Sequence, residues 1–80
     1  MTEVKKPFPL FDPDNVFCYH APKDNQPERY VMIREKAKEL AKLIQVSTPM
    51  SAEQTLSLRD LQRCVMMANA AIAINEAQNV

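Results

Sequence analysis

The chain has no glycine among its 80 residues. That absence removes every glycine-rich phosphate loop, both the dinucleotide fingerprint and the P-loop. It also disfavours β-hairpins closed by tight primed turns, which lean on glycine. No apolar run approaches the roughly 18 residues that span a bilayer, so no membrane partner is expected. Charge of one sign is not in excess either: ten Lys+Arg balance ten Asp+Glu, and the pI is about 6.6. DNA- and RNA-binding domains usually carry a basic surplus, so no nucleic-acid polymer is expected as a partner. The two cysteines, Cys18 and Cys64, form neither a CxxC pair nor a zinc spacing. His20 is the single histidine and has no partner at ligand spacing. No metal and no cofactor are expected. The first residues hold no apolar signal core after their charges, which points to the cytoplasm.

What the sequence does have is proline at the front and helical periodicity behind it. Five of the six prolines, Pro7, Pro9, Pro13, Pro22 and Pro27, lie in residues 1–27. Proline lacks a backbone donor and disfavours helix at the residue before it, so this stretch is expected to be extended and irregular. Residues 1–16 read as a loose segment and 17–80 as the folded domain. The aromatics Phe17 and Tyr19 argue that residues 17–22 pack on the helices. A first helix is expected over about 26–46, with Asn25 as N-cap, Glu28 completing a capping box and Pro27 in the first turn. Tyr30, Ile33, Ala37, Leu40 and Ile44 recur at spacings of three and four, which is one apolar face. A second helix is expected over about 51–77, with Ser51 and Gln54 as a capping box.

The second helix carries two stripes. Leu58, Leu61, Val65, Ala68 and Ile72 form one; Cys64, Met67, Ala71 and Ile74 form another beside it. Cys64 reads as a small core residue. From Cys64 to Ile74 the one polar residue is Asn69. A helix apolar all round must be covered all round, and one partner helix covers one side. A chain this short has little else to bury it under. The fold class expected is therefore all-α: an antiparallel helical hairpin with an extended N-terminal arm, oligomerising through its second helix.

Little here carries chemistry. No pair of carboxylates stands out as acid and base, and His20 beside Cys18 and Tyr19 is a poor nucleophile-and-base set. No enzyme is expected. Arg34, Lys38 and Lys42 follow at i, i+4 and i+8 and share one helix face. By composition that face is simply solvated; by charge it also suits an anion laid across it. Tyr19-His20, ahead of Pro22, places an aromatic on an arm where it either pins the arm or stacks on another ring. Together, an aromatic on an arm and cations on a helix would make a small site for an anionic, ring-bearing ligand; physical reasoning stops at favouring a binding module over an enzyme, with an unliganded protein-binding or structural hairpin as the alternative.

Three segments carry a resemblance: Phe17-Cys18-Tyr19-His20-Ala21-Pro22, the run from Arg29 through Ala41, and Ala68-Asn69-Ala70-Ala71-Ile72-Ala73-Ile74-Asn75-Glu76. In this order and spacing they resemble the phage anti-CBASS cyclic-nucleotide sponges, which share a hairpin domain with one group of Thoeris anti-defence sponges. The resemblance implies a symmetric oligomer, expected as a hexamer. It implies that cyclic dinucleotides such as cGAMP are held between subunits, and in some members cyclic trinucleotides at a separate threefold site. It implies sequestration without cleavage, in the host cell cytoplasm. By that likeness Tyr19 stacks on a base, Arg34 and then Lys38 are the choices for pairing with phosphate, and His20 bounds the pocket. Two positions depart from the pattern. Ala21 stands where a second proline is common, and Ile74 stands where some relatives carry a polar or basic residue, which implies an altered trinucleotide site.

Overall fold

The computed structural model describes residues 11–76, so the expected looseness of the first ten residues lies outside the described residues. The described residues form three helices and no strand: α1, Pro13–Val16; α2, Gln26–Ser47; α3, Ala52–Glu76. The two long helices pack along each other as a hairpin, as their periodicity predicts.

Both long helices begin close to the expected positions and α2 ends close to its own, while the expected end of the second helix near residue 77 lies outside the described residues; the caps differ from expectation. At the α2 start, Asn25 makes no side-chain cap to the backbone. Its backbone (φ −94°, ψ 14°) lies outside the extended region in which a cap side chain folds over the first amides, and its Oδ1 accepts from Arg29 Nε instead at 3.1 Å. At the hairpin tip, Ser51 Oγ does accept the Gln54 amide at 3.1 Å. The Gln54 side chain does not return to Ser51. It turns to α2 and donates to the Thr48 carbonyl (3.0 Å) and the Gln45 carbonyl (3.3 Å). One residue of α3 thus satisfies orphan carbonyls at the end of α2.

The front segment is less irregular than its prolines suggest. Pro13 opens a single helical turn, where its missing N–H is one of the orphans anyway. Asp12 caps that turn by accepting the Asp14 amide at 3.2 Å. The expected packing of residues 17–22 on the helices holds only in part. Phe17 and Tyr19 are 78% and 85% exposed, and Phe17 leans on Phe11 at a 5.9 Å ring separation. The arm attaches through hydrogen bonds rather than ring burial: Asn15 Nδ2 donates to the Ile74 carbonyl at 2.9 Å.

The facing stripes are Tyr30, Ile33, Ala37 and Ile44 of α2 against Leu58, Leu61, Val65, Ala68 and Ile72 of α3, all half-buried. Leu40, expected on the α2 face, is 44% exposed. Among the described residues no apolar side chain is fully buried. Cys64, expected in the core, is exposed, as are its stripe neighbours Met67 and Ala71. The reason is geometric: α2 covers one side of α3, and Cys64 stands at the open edge of a groove between the two helices. Asn69 Oδ1 is shut off from solvent with no hydrogen-bond partner among the described residues.

Candidate functional site

Tyr19 and His20 meet at the open end of the hairpin, where the arm crosses from α1 to α2. They line a pocket of about 220 Å³ together with Ala21, Lys23, Gln26 and Ala73. Tyr19 is held out in solvent, while His20 is half-buried. His20 Nε2 lies 2.7 Å from the Asn15 carbonyl. A carbonyl only accepts, so this ring nitrogen carries the proton and donates. Cys18 Sγ stands 3.6 Å from the same nitrogen. His20 is thereby committed to holding the arm, and the sulfur faces a donor rather than a base.

Arg34 and Lys38 stand elsewhere. They border a groove of about 470 Å³ along the hairpin body, floored by Ala37, Leu58, Leu61 and Val65. At about 1.5 Å of rise per residue, Arg34 is roughly 12 Å and Lys38 roughly 18 Å along α2 from Gln26. One chain therefore does not bring all four expected site residues together. Among the described residues neither cation is in an ion pair; Glu39 pairs with Lys36 at 3.5 Å rather than with Lys42. Among these residues no group of three or more His, Cys, Asp or Glu is placed to hold a metal ion. No helix there is long and apolar enough to cross a membrane.

The residues that shape the pocket's inner wall escaped the sequence reading. Gln26 is the one buried residue among the described residues, 4% exposed. Its Oε1 accepts the Lys23 amide at 3.1 Å, and its Nε2 donates to Glu76 Oε1 at 2.9 Å. Arg29 grips the same carboxylate with two bonds, Nη1 to Oε2 at 2.8 Å and Nη2 to Oε1 at 2.6 Å. The Arg29 bonds, followed by the Gln26 bond, hold the Glu76 carboxyl down at about 2, against an ordinary 4.5. The same pairing pushes the Arg29 guanidinium further up. A signal for this pair was present in the sequence. A carboxylate at a helix C-terminus and a guanidinium in a helix's first turns each oppose the helix dipole, and each makes sense once paired with the other. Lys23 is the second omission: it is the basic residue that shares the pocket with Tyr19 and His20.

The fold and the pocket define a two-helix hairpin whose anchored arm presents an aromatic ring at the open end. Residues 12–73 match the family described as Acb2/Tad1, hairpin domain, and the chain belongs to that family. This is the family of anti-CBASS and anti-Thoeris sponges, which bind cyclic nucleotides rather than cleave them. No curated protein and no solved structure matches the chain.

Proposed function

We propose that this protein is a phage anti-defence sponge that captures a cyclic dinucleotide messenger such as 3′,3′-cGAMP in the host cell cytoplasm, leaving the CBASS effector without its activator. The observation that carries this reading is Tyr19: in a chain of the sponge family, a ring 85% exposed sits on an arm hydrogen-bonded at Asn15 and at Lys23. A free ring on a fixed arm is a stacking platform, good for about 1–3 kcal/mol per base.

The separation of Tyr19 and His20 from Arg34 and Lys38 fits a site shared between subunits, with the ring from one chain and the cation from another. The outward α3 face supplies a reason for the chains to associate. A twofold interface presents the same groups twice, which matches a ligand with two bases and two phosphates. We take the assembly to be a hexamer, with cyclic trinucleotides as a second ligand class whose site Ile74 has altered.

The deciding experiment is calorimetry of the purified protein with a panel of cyclic di- and trinucleotides, paired with its mass by light scattering. Submicromolar binding to an oligomer, with the ligand recovered intact after heat denaturation, supports the sponge. A cleaved product refutes it in favour of an enzyme. An oligomer that binds no member of the panel leaves a protein-binding or structural hairpin.

A further inference from the structure

The arm that carries Tyr19 is held at both of its ends by the last turn of one helix. On one side Asn15 Nδ2 donates to the Ile74 carbonyl, and the Asn15 carbonyl in turn accepts from His20. On the other side Glu76 holds Gln26, and Gln26 holds the Lys23 amide. Residues 16–22 therefore hang between two anchors two residues apart on α3. The turn between Lys23 and Gln26 is itself unusual. Asp24 has φ 53°, the one positive value among the described non-glycine residues. In a chain without glycine this left-handed position falls to aspartate, which tolerates it better than most residues do. Gln26 closes that turn twice, its amide donating to the Lys23 carbonyl at 2.9 Å and its side chain accepting from the Lys23 amide.

We propose that Gln26, bonded to a Glu76 carboxylate that Arg29 grips in turn, is a positioning residue for the ligand site: it fixes the turn that aims Tyr19, His20 and Lys23, and so pre-organises the arm before a cyclic nucleotide arrives. The inference rests on the sponge reading above. A pre-ordered arm spares the ligand the cost of ordering it, and that saving appears directly in affinity. The clamp has features that suit this role. Its central residue is the one buried among the described residues, yet it is polar, lines the pocket and bonds across from α2 to the end of α3. Its two charged members oppose their own helix dipoles, so intrinsic helix stability gives no account of them.

The test is full-length protein titrated with 3′,3′-cGAMP by calorimetry. Gln26→Glu sets a second carboxylate against Glu76 and is expected to weaken binding at least about tenfold, the effect of one hydrogen bond lost in a polar network. The double variant Gln26→Glu with Glu76→Gln remakes the 26–76 bond with its polarity reversed and keeps one of the two Arg29 bonds, so it is expected to recover part of the lost affinity. Amide exchange at Lys23 should rise in the single variant and fall again in the double one, with melting temperature and mass held. Wild-type affinity in the single variant, or no recovery in the double one, overturns the proposal. If Gln26→Glu does not fold, Asn15→Ala decides by releasing the other anchor: weakened binding supports the clamp and unchanged binding overturns it. Wild-type protein that binds no cyclic nucleotide overturns the functional reading itself, a different result from wild type and variants binding alike.

Discussion

The open end and the body of the hairpin solve the same problem by different means. At the open end Gln26, Arg29 and Glu76 satisfy one another within a single chain, and Asn15 bonds the Ile74 carbonyl. In the body, apolar stripes face each other and none of their side chains is fully buried. Hydrogen bonds are directional and local, so three side chains can complete a network alone. Hydrophobic stabilisation scales with area removed from water, and two helices can remove only the area between them. The lesson is that this chain ties its arm down by itself and leaves part of its apolar α3 surface uncovered.

The strongest way to break that contrast is to put a charge on the outward α3 face. Ala71→Asp should leave the hairpin folded and reduce the particle mass to that of fewer subunits, because a buried unpaired carboxylate costs several kcal/mol. Unchanged mass would show that the outward stripe is not the contact. Tyr19→Ala tests the open end: loss of stacking at about 1–3 kcal/mol per base predicts roughly 5- to 150-fold weaker cyclic-dinucleotide binding at unchanged mass. Arg34→Ala probes whether the body contributes to the same site. A charge-assisted bond of about 1.5–3 kcal/mol predicts a loss of roughly tenfold or more, with a flatter salt dependence; unchanged affinity would hand the phosphate to Lys23.

Smaller effects sharpen the picture. The folded-state value of Glu76 is depressed, so its contribution is fully present above about pH 4.5 and is lost as pH falls toward about 2. Lys23 amide protection should decay across that window while amides in the hairpin body hold, and neither should change between pH 6 and 8. Ser51→Ala removes the one side-chain cap at the α3 start. It should cost about 1 kcal/mol and lower the melting temperature by about 4–8 °C, with ligand affinity untouched.

The long helices were legible because their signals are local. Spacings of three and four mark Tyr30 to Ile44 and Leu58 to Ile72, and Pro49 separates them. The stripe of Cys64, Met67 and Ala71 was legible as an apolar surplus; placing Cys64 in a core assumed that one hairpin covers all of α3. The arm was misjudged through its aromatics. Phe17 and Tyr19 read as anchors, whereas the anchors are Asn15 and Gln26, polar residues of ordinary loop type. Of the candidate site, Tyr19 and His20 line one pocket, and that Arg34 and Lys38 lie apart from it follows from helix length and was in principle countable.

By itself the sequence determined an all-α hairpin, both helix starts and the end of α2 to within a residue or two, and an unpartnered apolar face, since periodicity, proline and short-range caps act over a few residues. Only the tertiary structure decided which groups hold the arm. Gln26 and Arg29 meet Glu76 across 50 and 47 positions of chain, and Asn15 meets Ile74 across 59. No local pattern encodes such pairings; they exist because folding the hairpin brings the start of α2 and the end of α3 to the same place, where opposed charges and unspent backbone carbonyls find their partners.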